Sequence, residues 1–402
     1  MRRVAITGIG ALTAGGIDAE RSWQAVRDAH QPFGAPSRLG DKTTGVSRVA
    51  ELRDYDPETY FDRRRLSALD PAAQYAIVAG REALAQSGID FADYDPDRTM
   101  CVIGSGAAGE ATHDMSSERI YRHGADRLHP LTVPRLMASA PASQLAIEFG
   151  IRGGVFLIAS ACASAAHAIG QAYQAIRYGM ADIAMTGGTE ASLTFGCLKG
   201  WEALHVLSDD LCRPFSFGRR GLMLGEGAAI LVLEEMEAAR RRGADILGEL
   251  RGFGMSSDAG SLTSPDPAGM ARAMRLALAD AGADAGAVDH LNAHGTGTNM
   301  NDASECQALH QVFGDRATRL PVTATKSVLG HCLGASGAIE LVMAVKSLGA
   351  QTLAPTANFV EPDPECPIDC IPNVARDARI RTIVSNSFAF GGLNASLVLG
   401  HA

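Results

Sequence analysis

The sequence predicts an α/β fold in which one strand-and-helix unit is used twice, and three observations carry that expectation. Short apolar runs of strand character alternate with Ala-rich helical stretches, the pattern that layers helices on sheets. The segment Cys162–Gly188, read as turn, helix, Gly and strand, is echoed in the same order by His331–Leu353. With 402 residues, 46% hydrophobic and 20% charged, the chain can bury a large core and hold two domains or one duplicated unit.

Val4–Ile9 opens the chain as an apolar strand, and Pro71–Ser87 follows as an Ala-rich helix. The apolar stretch from Val155 to Ala159 gives way to small residues around Cys162, which suit the opening of a tightly packed helix continuing through His167–Tyr178. Asp182–Thr186 and Ala229–Leu233 read as further strands, and Gly269–Ala281 as a helix. The two echoing helices carry small residues in their first turns and an apolar face after them, as expected between packed sheets. The join falls near Ala238–Leu247 and divides the chain into halves 1–243 and 244–402. No Pro/Gly/Ser-rich spacer lies there, so the join marks a duplication within one core and not a flexible linker.

Composition excludes several classes of function. A formal net charge of -9 argues against nucleic-acid and anionic-membrane partners, and Arg240-Arg241-Arg242 reads as a solvated helix end. No apolar segment is expected to span a bilayer, and Met1-Arg2-Arg3 runs into a strand without a signal-peptide core, so a cytoplasmic protein is expected. The eight Cys form no zinc-type pairs and read as reduced thiols. Cys366 and Cys370 have the spacing of a ligand pair but lack a second one, so no metal is expected.

The chemistry is carried by three positions. Cys162, in Ile-Ala-Ser-Ala-Cys-Ala-Ser-Ala-Ala-His, falls at a helix N-terminus, where unpaired N–H groups and the positive dipole end favour a thiolate. Alone it would read as an inert core thiol. Two motifs change that reading: Leu291-Asn292-Ala293-His294-Gly295-Thr296-Gly297-Thr298, with Asp302 after it, and Thr325-Lys326-Ser327-Val328-Leu329-Gly330-His331-Cys332-Leu333-Gly334. In each, a His stands beside a Gly that lets the backbone turn sharply and present the imidazole at a strand end. One Cys with two such His suits a nucleophilic sulfur working beside imidazole donors.

With these motifs the chain resembles the β-ketoacyl-acyl-carrier-protein synthases, decarboxylating condensing enzymes of the thiolase superfamily. The resemblance spans nearly the whole chain and includes Arg3-Val4-Ala5-Ile6-Thr7-Gly8-Ile9-Gly10, Gly187-Gly188-Thr189-Glu190, Leu224-Gly225-Glu226-Gly227, and Ser385–Asn394 with its Phe388-Ala389-Phe390-Gly391-Gly392 core. It implies the thiolase fold, a pseudo-duplicated five-layer α-β-α-β-α sandwich with a central helix pair. It implies that Cys162 carries the acyl chain and that His294 and His331, as neutral Nε2–H donors, stabilise the enolate formed when a malonyl thioester loses CO₂. The backbone N–H groups of Cys162 and Phe390 become an oxyanion hole, and Phe388 and Phe390 a gate. Lys326 pairs with Glu340, which serves structural support, electrostatic tuning or both. Thr296 and Thr298 match the threonines that bind the phosphopantetheine arm.

Ala107, across the expected dimer contact, and Trp201, near the expected tunnel end, are the candidate acyl-pocket residues. No bound cofactor is implied, because substrates arrive on the phosphopantetheine of an acyl carrier protein. The implied assembly is a homodimer or a heterodimer with a related chain-length-factor subunit. Arg219-Arg220-Gly221 stands where fatty-acid enzymes commonly have Arg-Asp-Gly, and Ser216, Ala389 and Leu393 replace Asp, Gly and Thr. Pro214-Phe215-Ser216 together with Arg219-Arg220-Gly221 resembles the nodulation-factor and polyene-type synthases, so fatty-acid and polyketide elongation both stay open. A coenzyme A-dependent thiolase would need a second Cys within Ser385–Asn394, which has none. The ketosynthase III and chalcone-synthase branch would place Asn at His331. A non-elongating or chain-length-determining partner subunit would typically lack Cys162 or one His.

Overall fold

The computed structural model describes residues 1–402. The first half contributes β1 (Val4–Thr13), β2 (Thr99–Gly104), β3 (Gly154–Ile158), β4 (Ile183–Glu190) and β5 (Gly227–Glu235). The second contributes β6 (Gly248–Ser257), β7 (His290–Asn292), β8 (Val322–Thr323), the small β9 (Thr352–Leu353) and β10 (Arg376–Asp377) pair, β11 (Thr382–Ala389) and β12 (Leu393–Gly400). The strands of the first half lie in the order β3-β2-β4-β5-β1, and those of the second in the order β8-β7-β11-β12-β6. In both, the first three strands pair parallel and the last two join antiparallel. The duplication is therefore a matter of topology. The two sheets touch through a short antiparallel pairing of Val4–Ile6 with Gly248–Leu250.

Seven helices define the layers: α1 (Pro71–Ser87), α2 (Ala140–Phe149), α3 (Ser164–Arg177), α4 (Phe195–Ala203), α5 (Pro267–Ala281), α6 (Asn299–Phe313) and α7 (Ser336–Ala350). Helix α1 covers β1, β5 and β4 and packs on α2, while α5 covers β6 and β12 and packs on α6. Helices α3 and α7 touch each other and strands of both sheets, including β4, β5, β6 and β12. That is the five-layer sandwich, and its central layer explains the apolar, small-residue character of α3 and α7. Ala165, Ala168 and Ala172 of α3 and Leu341, Val342 and Leu348 of α7 are fully buried in one core. Truncating a buried Leu such as Leu341 to Ala costs about 2–5 kcal/mol.

The sequence marks α1 at both ends. The Asp70 carboxylate accepts from Ala72 N, Pro71 sits where no intrahelical N–H is needed, and Gly88 closes the helix at φ 64°. Three expectations shift. The strand expected to end at Ile9 runs to Thr13. The helix expected from His167 begins at Ser164, close behind Cys162. One segment, Leu333–Ala350, is long and apolar enough to cross a membrane, contrary to the expectation of none, but 83% of it is buried inside the protein. It is the central helix of the sandwich.

Candidate active site

Cys162 occupies the tight connection between β3 and α3. Ala161 takes the left-handed conformation at φ 50°, which costs a non-glycine residue about 1–2 kcal/mol. Ser164 steadies the turn, donating to Ala161 O at 2.6 Å and accepting from Ser160 N at 2.8 Å. On β2, a Cβ added at Gly104 would lie 2.3 Å from the backbone of Ser164 and Ala165, so a glycine there lets α3 settle on the sheet. Cys162 is 7% exposed and lines a cavity of about 240 Å³.

His294 follows β7. Its own N–H and that of Gly295 both donate to the Glu305 carboxylate, at 2.9 and 2.8 Å, which fixes the turn. Lys326 Nζ donates to His294 O at 2.6 Å, lies 3.3 Å from His294 Nδ1 and pairs with Glu340. An ammonium can only donate, so Nδ1 accepts and the proton of His294 sits on Nε2. His331 is anchored through its backbone, with N donating to Met223 O at 2.6 Å. Its Nε2 lies 3.0 Å from Cys162 Sγ and its Nδ1 2.9 Å from Ser336 Oγ. The two imidazoles meet edge to face with centroids 5.4 Å apart, and Phe388 lies 6.2 Å from His294.

Burial dominates the electrostatics. It pushes both imidazoles well below the ordinary histidine range, with Lys326 adding to the effect, so both rings are neutral. It also pushes the Cys162 thiol up to about 12, against the smaller opposing pull of Lys326. Burial of the sulfur thus works against the thiolate that the helix N-terminus favours. Burial raises Glu305 and Glu340 to about 7 each.

The amides of Cys162 and Phe390 donate to no backbone acceptor, which leaves both free for an oxygen in the cavity. Thr296 and Thr298 line the same cavity, their hydroxyls 2.9 Å apart. Trp201 lines the same cavity as Cys162 and stacks on Phe390 with centroids 6.0 Å apart. Ala107 is absent from the cavity wall, and its amide is held by Glu190 at 3.1 Å.

The odd Arg219-Arg220 pair divides its tasks: Arg219 is buried against Asp363 and Asp302, while Arg220 lines the cavity and reaches toward Asp209. Sequence reasoning missed two carboxylates. Glu305 holds the His294 turn, and Glu190 accepts from Gly106 N at 2.8 Å and Gly334 N at 3.0 Å, tying the two halves together. The Gly-Gly-Thr-Glu motif contained Glu190; Glu305 stood in a helix with no distinguishing spacing.

Residues 1–239 match the β-ketoacyl synthase N-terminal domain and residues 247–360 the β-ketoacyl synthase C-terminal domain. Nodulation protein E of Rhizobium sp. strain N33 is 43% identical over 398 residues, 98% of each chain. The 3-oxoacyl-[acyl-carrier-protein] synthase 2 of Staphylococcus aureus strain N315 is 39% identical, covering 99% of this chain and 98% of its own. The solved ishigamide ketosynthase/chain length factor superposes with a TM-score of 0.94 at 33% identity, covering 100% of this chain and 99% of that one. With both domain matches, full-length relatives and a shared fold, the chain belongs to the β-ketoacyl synthase family of condensing acyltransferases.

Proposed function

We infer that the chain elongates a Cys162-bound acyl group with a malonyl unit, both delivered on the phosphopantetheine of an acyl carrier protein, in fatty-acid or polyketide assembly. The observation that carries this reading is the 3.0 Å contact between Cys162 Sγ and a neutral His331, with His294 on the same cavity. In the first half-reaction Sγ attacks the acyl thioester as its proton passes to His331 Nε2. The departing pantetheine sulfur then takes the proton.

In the second half-reaction the malonyl C–C bond to the carboxylate breaks, releasing CO₂ and leaving an enolate on the thioester oxygen. His294 donates its Nε2–H to that oxygen, its tautomer held by Lys326. His331 donates as well when its Nδ1 accepts from Ser336, whose hydroxyl can donate or accept and so supports either tautomer. The enolate carbon then attacks the acyl thioester, whose tetrahedral oxyanion sits between the Cys162 and Phe390 amides, and the Cys162 thiolate is expelled as the β-ketoacyl product forms. Phe388 and Phe390 gate the cavity, and Thr296 and Thr298 hold the pantetheine arm.

The partner is a second subunit of the same fold, either a copy or a chain-length-factor relative. Strand β3 is a sheet edge, with Phe156 40% exposed. The helical segments Glu110–Tyr121 and Thr132–Leu136, which pack on each other, expose Met115, Ile120, Tyr121 and Val133, with Met137 exposed just after them. The halves 1–243 and 244–402 are the duplicated units, and the reaction belongs in the cytoplasm, where carrier-bound intermediates are made. Incubation with acyl and malonyl carrier proteins tests the reading: intact mass should show one acyl group on the wild type and none on Cys162→Ala. Acylation of Cys162→Ala, or a wild type that never acylates, overturns it.

A further inference from the structure

The gate has an asymmetry that the reaction scheme leaves unused. Phe390 is 37% exposed and is followed by Gly391 and Gly392 at φ 83° and 66°, a backbone that can swing. Gly391 N donates to Leu262 O at 2.8 Å, and Leu262 itself stands on an exposed loop. On its other side Phe390 meets something firm. Trp201 lies face to face with it, ring planes 21° apart and centroids 6.0 Å apart. Trp201 is carried by α4, whose first turn is capped by Thr194 Oγ1 accepting from Cys197 N at 3.3 Å.

We propose that Trp201 is a positioning residue for condensation: its indole holds Phe390 in the closed gate and so keeps the Phe390 N–H aimed at the acyl oxygen. This rests on the function inferred above. The ring and the amide of Phe390 move on one backbone, so a force on the ring sets the direction of the N–H. Acyl transfer onto Cys162 requires the gate to yield, whereas condensation requires it closed with the oxyanion donor in place. Stacking biases the second state by roughly two- to tenfold, the worth of one aromatic pair. Malonyl decarboxylation depends on His294 and His331 and lies outside its reach.

The test separates the half-reactions, using octanoyl and malonyl carrier proteins as probes. In Trp201→Ala, condensation from a preformed acyl-enzyme should slow roughly two- to tenfold, while acylation of Cys162 and malonyl decarboxylation hold their wild-type rates. Trp201→Phe keeps an aromatic face and should recover most of the loss. Trp201 and the buried Trp23 are the two tryptophans of the chain. Full acylation should therefore shift the wild-type emission, and Trp201→Phe, which retains only Trp23, should abolish the shift. Equal slowing of both half-reactions in Trp201→Ala, or wild-type emission unmoved by full acylation, overturns the proposal. A wild type that takes up no octanoyl group instead overturns the underlying function.

Discussion

The turns that open α3 and α7 occupy the same place in the two halves, each leading from the outer parallel strand into a central helix, yet they carry different chemistry. The first presents Cys162 after Ala161 at φ 50°; the second presents His331 ahead of Leu333 at φ 45°. They meet at 3.0 Å across the join of the halves. Around Cys162 the supporting groups are backbone amides and one buried carboxylate, Glu190. Around His331 and His294 they are Lys326, Glu340, Glu305 and Ser336. In the proposed mechanism, one half of a symmetric frame holds the chain and the other stabilises charge.

The sharpest way to break that contrast is to remove one side at a time. His294→Ala should lower malonyl decarboxylation by roughly 10²–10³-fold, the worth of one oxyanion donor, while still permitting an acyl adduct by intact mass. Cys162→Ala should show the reverse, with no adduct but continuing CO₂ release. Loss of both activities in both variants would mean that the halves do not divide the work.

Lys326→Met comes next, because it leaves Glu340 and His294 buried without their partner. Chemical denaturation should show a loss of about 3–5 kcal/mol, and decarboxylation should fall with it. No comparable charge is buried beside Cys162 in the first half except Glu190.

The halves should also differ in their response to pH. His294 and His331 are held neutral well below the ordinary range, so decarboxylation should show no imidazole step near pH 6.5. Glu340, raised to about 7, binds its proton more tightly folded than unfolded. Its contribution to stability is full below about pH 4.3 and is lost as pH rises through about 7. Wild type should therefore lose stability relative to Glu340→Gln between pH 5.5 and 8.5 in paired denaturation curves. The smallest effect is Ser336→Ala, which removes one neutral hydrogen bond to His331. It should slow decarboxylation severalfold, equivalent to about 1 kcal/mol, without altering acylation.

The α/β class and the duplication were legible because α1, α3 and α5 carry strong helical signals and the turn-helix-Gly-strand echo survives in sequence. Cys162, His294 and His331 were legible because each stands in an unusual local setting. Strands β7 and β8 are too short to leave a periodic trace. The burial that opposes a Cys162 thiolate leaves no trace in the sequence, because helix position shows there whereas depth of burial does not. The contact of Trp201 with Phe390 was not legible, because it is a long-range contact with no sequence signature. The Cys162 and Phe390 amides have no side chain to betray them and entered only through the resemblance.

The exposed rim at β3 has a practical consequence. A row of open amide and carbonyl groups flanked by Phe156 is adhesive toward any extended polypeptide, so this chain produced without its mate is expected to precipitate or form mixed oligomers. Soluble yield in recombinant expression should then follow the supply of that mate, and an insoluble preparation would report an uncovered border instead of a misfolded interior.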